Sequence, residues 1–415
     1  MATRVAEAKP AGITGQRAGA SGSVARLPIL DMHGKAQGYE LIFRDGEAGS
    51  LPATGPTPDG SVHQSPEPAP SGPPAFIDCP ADLLAGDWLH AFPPASTVVQ
   101  LKLESEVAPA LIAACRDLKA KGYRLALKEF SGQPGSKPLA ALADYIKVDF
   151  LKVGEAGRRD LIYRLGGHSI HLIAEGVETQ VQFREACQEG FRLFQGYYFC
   201  FPEPVKNHRI PGNRLVHLEI MEDLQSNPVD LNRLGQLVMC DASLVYRLLR
   251  LVNSPVSGMR QEVTSIQTAL LLVGETTFRR MAMLAIAIDF NADQPAELLR
   301  MAFVRARFCE TAAALCGLVP SEQYLVGMVS LFPAMLRILM EDMVRLVPLR
   351  TEAREALLGH PAKEGILLQW AIFQEHGNWA ACEQIIRANG LDAGNILKCH
   401  DEAVAWADAA LKSNA

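Results

Sequence analysis

Tyr145-Ile146-Lys147-Val148-Asp149 is a short apolar run ending on charge, and residues 170–174 repeat the form before running into Glu175-Gly176-Val177-Glu178. Similar β-rich runs stand at 75–79, 97–103, 123–129 and 192–197. Helix-like stretches such as Ala108–Lys121 and Glu178–Gln188 separate them. That alternation is the rhythm of parallel βα units. Polar residues at strand ends lie where a (β/α) barrel gathers its functional groups. Any single carboxylate there reads equally well as the cap of the next helix, but recurrence on several strands favours a site.

Upstream, Leu27–Arg44 reads as two strands around His33-Gly34-Lys35, the second ending Tyr39-Glu40-Leu41-Ile42-Phe43-Arg44. Residues 1–25 hold few large apolar groups and are expected to form a mobile tail, with structure beginning near Arg26. Residues 45–74, dominated by Gly, Pro, Ser and Ala, read as a long loop or disordered insertion. Downstream, a linker around 202–213 gives way to helical periodicity. In Asp241–Val252 the residues Leu244, Leu248, Leu251 and Val252 recur at helical spacing, Asp241 is the N-cap, and Asn253-Ser254-Pro255 ends the helix. Ser265–Val273 ends at Gly274, and helices are expected over about 276–288, 295–316, 320–343, 363–374 and 392–411. The expected fold class is α/β plus all-α.

The 415 residues suit two domains, and 48% hydrophobic with 21% charged residues is globular composition. A net charge of −6 argues against broad electrostatic capture of nucleic acid or anionic membrane. Nine scattered cysteines without a C-x-x-C pair suggest neither a disulfide framework nor a zinc site, which fits a reducing cytoplasm. The apolar stretch between Glu322 and Arg337 is too short to cross a bilayer and contains Pro333, so no membrane insertion is expected.

Ala174-Glu175-Gly176-Val177-Glu178-Thr179 with Gln182, then Phe194-Gln195-Gly196-Tyr197 and Pro202, resembles the terminal motifs of EAL-type cyclic di-GMP phosphodiesterases. Lys147-x-Asp149 is similar to that family's K-x-D strand, and Glu40–Arg44 resembles its E-x-L-x-R signature. In the second half, Asn227–Leu251 with Asn253-Ser254, Gln267-Thr268-Ala269 to Gly274, Arg305-Ala306-Arg307-Phe308 and Gly327–Leu331 resemble the HDOD domain. The resemblance implies a TIM-like EAL barrel over 26–206 followed by an α-helical HDOD domain over 207–415. Where catalytic HD hydrolases carry a His-Asp pair, Ser330 and Leu331 stand, and neither replaces metal-binding side chains. His400-Asp401 reads as a solvated helix-end pair.

The family's hydrolysis resembles two-metal catalysis with oxygen ligands. Carried over, Glu40, Asp78 and Glu175 are vestigial metal ligands, and Glu40, Lys147, Asp149, Glu175 and Glu178 are vestigial catalytic positions with no activity expected. On the strand Val98–Glu104, Gln100 or Leu101 faces the metal position, according to register. The family's D-D-F-G becomes Lys128-Glu129-Phe130-Ser131, placing an ammonium where an aspartate bridges cations. An ammonium about 4 Å from a metal costs several kcal/mol at intermediate dielectric. No metal or other cofactor is expected, and Mg or Mn enters only with residual phosphodiesterase activity. Lys128 is expected instead to serve as an internal cation among Glu40, Glu175 and Asp78. Arg44 and Gln195 are candidate ligand-binding residues for cyclic di-GMP.

The leading reading is a non-catalytic, cytoplasmic signalling protein of the cyclic di-GMP network that binds a regulatory protein partner through its HDOD domain. Control of motility or biofilm is the output the resemblance implies. The alternatives are a weak metal-dependent phosphodiesterase and a metal-independent cyclic di-GMP receptor. Nucleic-acid binding by a patch of Arg279, Arg280, Arg305 and Arg307 ranks below these.

Overall fold

The computed structural model describes residues 24–43, 72–80, 92–103, 107–130, 136–165, 169–201, 212–224, 231–254, 263–347 and 349–412, together with Leu84 and Leu89. Residues 1–23 of the expected tail, most of 45–74, residues 202–211 of the expected linker, Arg44 and Pro255 lie outside these residues.

Eight strands form a closed barrel in chain order: β1 (Val24–Asp31), β2 (Ala36–Phe43), β3 (Ala75–Asp78), β4 (Thr97–Lys102), β5 (Arg124–Lys128), β6 (Tyr145–Asp149), β7 (His171–Glu175) and β8 (Leu193–Gln195). Strand β1 runs antiparallel to both of its neighbours, and the other pairings are parallel. Strand β1 includes Val24 and Ala25, just before the sequence boundary, because they pair with Phe43 and Ile42 across the hairpin. Asp31 sets the hairpin turn: its Oδ1 accepts the amides of His33 and Lys35 at 2.8 and 3.0 Å.

Strand alternation divides each strand between two environments. Ile29, Phe76, Val98, Ala126 and Ile173 fill the barrel interior with Tyr145 and Leu193 against them. Leu30, Val99, Leu101, Leu125, Leu127, Ile146 and Val148 face outward into a larger apolar core. That core continues without a break into the helical half, reaching Phe308, Trp370 and Ala407.

The helical half opens with Gly212–Asp223 and Leu231–Met239, and Asp241 caps Ala242–Val252 by accepting the amides of Ser243 and Leu244. Glu275–Phe290, Ala296–Ala312, Ile366–Glu375 and Ala393–Lys412 are the expected helices with small shifts at their ends. Two further helices, Thr351–Leu357 and Trp379–Ala388, stand where none was expected. The single helix expected over 320–343 is three: Pro320–Val329, Phe332–Leu336 and Met340–Leu346. Pro333 cannot donate to a continuing helix, and Arg337 adopts a left-handed φ of 54° that ends the second segment. Among the described residues no single helix is long and apolar enough to cross a membrane. One bent pair, Pro320–Leu336 with Met340–Leu346, has the combined length and composition but turns by 119°.

Helices Ala296–Ala312 and Pro320–Val329 cross in backbone contact at Gly327. A Cβ there would lie 2.5 Å from the Arg305 carbonyl oxygen and 2.7 Å from the Ala306 Cα. Gly327→Ala is expected to lower stability by about 1–3 kcal/mol through overpacking. Gly235→Ala, whose new Cβ would meet its nearest neighbour, Leu270, at 3.5 Å, should be neutral or stabilising. Thermal unfolding of both variants checks the contrast; equal effects would contradict the close crossing.

Candidate functional site

The site lies at the mouth of the barrel, on the ends of the parallel strands. Glu40 stands at its centre, 4% exposed on β2. Its Oε1 accepts Lys128 Nζ at 2.8 Å and Gln100 Nε2 at 2.9 Å, and its Oε2 accepts Lys147 Nζ at 2.7 Å and Gln195 Nε2 at 2.5 Å. Strands β4, β5, β6 and β8 thus each supply one donor to a carboxylate on β2.

Two further carboxylates complete the cluster. Asp78 accepts from Lys128 at 3.0 and 3.2 Å and from Gln100 at 3.0 Å, while Glu175 lies 3.2 Å from Lys147. Lys147 is fully buried, Lys128 is reached from solvent at the rim, and Asp78 is exposed. Burial alone would push the Glu40 carboxyl up. The charges of Lys147 and Lys128, and their hydrogen bonds, outweigh that and hold it well below the usual carboxylate range. Burial would likewise lower Lys128, but Glu40 and Asp78 hold it above the ordinary lysine value.

The other expected positions divide. Gln100 faces the site, and Leu101 is buried in the outer core. Glu129 has a φ of 54° and pairs with Lys102 at 3.1 Å, outside the cluster. Asp149 caps the turn after β6. Its Oδ1 accepts the amides of Leu151 and Lys152 at 3.2 and 2.9 Å, and its side chain pairs with Lys152 at 2.8 Å. Burial would raise the Asp149 carboxyl, but these bonds keep it lowered. Glu178 accepts the Tyr197 amide at 3.4 Å, while Thr179 and Gln182 close a capping box on Gln180–Glu189. Arg44 lies outside the described residues.

In the helical half, Ser330 donates to the Gly327 carbonyl at 2.7 Å and accepts Arg305 Nη1 at 3.1 Å. Arg305 also donates twice to the Glu375 carboxylate, at 2.9 and 2.7 Å, and Leu331 is buried in the core. One sequence expectation is corrected here. His400 is not at a solvated helix end: it is buried inside Ala393–Lys412, with the rings of Phe308 and Trp370 at 5.9 and 5.7 Å, because its helix turns that face to the core. The four arginines form no open cationic patch. Arg305 is buried on Glu375, Arg280 and Arg307 share Glu310, and Arg279 pairs with Glu275.

Sequence reasoning missed His217, fully buried 3.0 Å from Asp241 Oδ2 and 3.4 Å from Asp289 Oδ2, with Arg247 on Asp289 at 2.7 Å. It also missed Tyr39, Tyr197, Glu297 and Glu375, whose partners lie on distant segments. A lone histidine or tyrosine inside an amphipathic run carries no local sign of such a partner. Among the described residues no group of three His, Cys, Asp or Glu side chains has a geometry that could hold a metal.

Residues 210–354 match the family described as the HDOD domain. Over 399 residues the chain is 29% identical to YuxH, an uncharacterized protein of Bacillus subtilis, spanning 92% of this chain and 97% of that one. It is 28% identical over 397 residues to the cyclic di-GMP phosphodiesterase CdgJ of Vibrio cholerae, spanning 92% of this chain and 91% of the other. Among solved structures, the EAL enzyme Bd1971 with cAMP and cyclic di-GMP bound aligns at 13% identity and a TM-score of 0.33. That alignment covers 43% of this chain and 61% of the enzyme's chain, less than two thirds of its length.

Removing one member of a buried ion pair leaves its partner uncompensated. Lys147→Met is therefore expected to cost about 3–5 kcal/mol, with part of the loss recovered in Glu40→Gln/Lys147→Met. Chemical denaturation of the single and double variants measures this, and additive losses would contradict the pairing. A pH effect follows with a fixed sign. The Glu40 carboxyl is depressed in the folded state, so its contribution is complete above the unfolded value of about 4.3 and fades as pH falls below it. Glu40→Gln should be less stable at neutral pH yet lose stability less steeply below about pH 4.3. Parallel acid limbs would contradict this.

Proposed function

We propose that this chain, an EAL-type barrel followed by an HDOD domain, is a non-catalytic regulatory protein of the cyclic di-GMP network that acts by binding a protein partner through its helical half. The observation that carries the reading is the position of Lys128. Its ammonium takes up oxygens of Glu40 and Asp78 at 2.8 to 3.2 Å, while Lys147 takes the other Glu40 oxygen and reaches Glu175. The three carboxylates available for divalent cations are thus each paired with an ammonium, which has no lone pair to offer a metal.

This donor set does not fit a two-metal centre. A divalent cation would have to displace Lys128 and leave that ammonium beside it, against strong repulsion at this range. Gln100, where a carboxylate would add charge, offers only a neutral amide. Glu129 does not substitute, since it pairs with Lys102 on the other side of the strand end. Similarity to a protein named a cyclic di-GMP phosphodiesterase supports a place in that signalling network. In the helical half, the Arg305–Glu375 pair fills the surroundings of Ser330. Binding rather than turnover is the role left to both halves.

Titration of the purified chain with cyclic di-GMP, with and without Mg²⁺ or Mn²⁺, while linear product is followed, separates the readings. The expected result is no metal-dependent product. Turnover that disappears in Glu40→Ala would overturn the proposal, and nucleotide binding without metal or product would identify a receptor.

A further inference from the structure

Glu40 and Gln195 hydrogen bond to each other inside the barrel, and each stands next to, or two residues before, a tyrosine that leaves the barrel for the helical half. Tyr39 precedes Glu40 on β2, so strand alternation sends it to the opposite face, where its hydroxyl donates to Glu297 Oε2 at 3.0 Å. Tyr197 follows Gln195 after one glycine. Its hydroxyl donates to the main-chain carbonyl of Glu375 at 2.6 Å, and its ring lies on His376 with centroids 4.0 Å apart.

The two receiving glutamates hold two arginines of one helix. Glu297 pairs with Arg300 at 3.2 Å and Glu375 with Arg305 at 2.7 Å, and both arginines stand on Ala296–Ala312. Arg300 continues to Asp408 on the C-terminal helix at 2.8 Å, and Arg305 continues to Ser330. All four residues of the two pairs are substantially shielded from solvent, so none exchanges its partner for water without loss.

We propose that Tyr39 and Tyr197 form an intramolecular clamp through which the state of the barrel mouth sets the packing around Arg305 and Ser330 in the HDOD domain. Residues 195–198 are tied to Val177 on both sides of Gly196: the Val177 amide donates to the Gln195 carbonyl at 3.0 Å and the Tyr198 amide donates to the Val177 carbonyl at 3.2 Å. Gly196 sits at φ 143°, and a Cβ there would lie 2.0 Å from the Val177 carbonyl oxygen. The backbone is pinned against β7's exit, so a shift of Gln195 on losing or changing its bond to Glu40 is carried to Tyr197. The Gln195 Oε1 is buried and has no hydrogen-bond partner among the described residues, so the bond to Glu40 is what holds this amide in place. The proposed route passes from Glu40 and Gln195 along the backbone to the two tyrosines, and through Glu297 and Glu375 to Arg300 and Arg305 on one helix. It needs neither a nucleotide nor a partner protein, and so goes beyond the proposed function and is tested without it.

The test is amide hydrogen exchange on the full chain. Lys128→Met perturbs the mouth, and exchange across 366–376 and 327–336 is expected to rise at least about fivefold, the low end of site-to-site coupling. In a Tyr39→Phe/Tyr197→Phe background the same substitution should change those segments by less than about twofold. Lys102→Met, which removes an exposed lysine from the same rim, should leave them unchanged. A rise confined to the strands around residue 128, one that persists without the two hydroxyls, or one equally produced by Lys102→Met would overturn the proposal. If Lys128→Met does not fold, the reverse direction decides. Ser330→Ala removes a partner of Arg305 at the far end, and if the clamp couples the two ends, exchange at 36–43 and 193–197 is expected to rise. Unchanged exchange there would overturn the clamp equally.

Discussion

A buried carboxylate must be compensated where it lies, and in this barrel the carboxylate of Glu40 receives four hydrogen bonds from four other strands. Removing an ion from water costs several kcal/mol, and only good geometry with further hydrogen bonds repays it. The arrangement meets both conditions: two ammonium groups and two amides converge on two oxygens. Each donor comes from a different strand, so the cluster exists only when the barrel is closed in its observed register. Charge compensation of Glu40 therefore depends on the strand arrangement of the closed barrel.

The chain's use of a hairpin in place of a first βα unit has a second consequence. No helix between β1 and β2 covers their outer faces, and the helical half takes that place. Arg26 and Tyr39 face a partly buried network of Glu297, Arg300 and Asp408, and Ile42 lies against Gly377. Burial pushes the Glu297 carboxyl up, with Arg300 and the Tyr39 hydroxyl opposing. The continuity of the apolar core across this boundary makes the two halves a single packed unit rather than two bodies on a tether.

Local pattern carried much of this architecture. The strand ends at Asp149 and Glu175, the N-cap Asp241 and the stop at Gly274 all follow from neighbours within a few residues. The same locality explains the failures. His400-Asp401 looked solvated because a dipeptide does not reveal which helix face meets Phe308 and Trp370. The arginine patch over 279–307, ranked lowest from the sequence, has carboxylate partners that include Glu375, far along the chain, which local pattern does not reveal. The uncharged run before Arg337 looked like one helix because periodicity outweighed Pro333.

By itself, the sequence determined the class of the two halves, the strands of the barrel, and that Lys128 stands where its resemblance leads one to expect an acid. Periodicity, capping and composition act over a few residues, and a charge replacement is visible without coordinates. Only the tertiary structure decided that Gln100 rather than Leu101 faces the mouth, that Lys147 is a second buried counter-ion, and that Asp149 caps a turn instead. It alone decided that Tyr39 and Tyr197 join the mouth to the helices. Apart from the Asp149 cap, which closes within three residues, these facts are pairings between residues 60 to 258 positions apart, and strand register, barrel closure and domain packing, not local preference, bring such residues together.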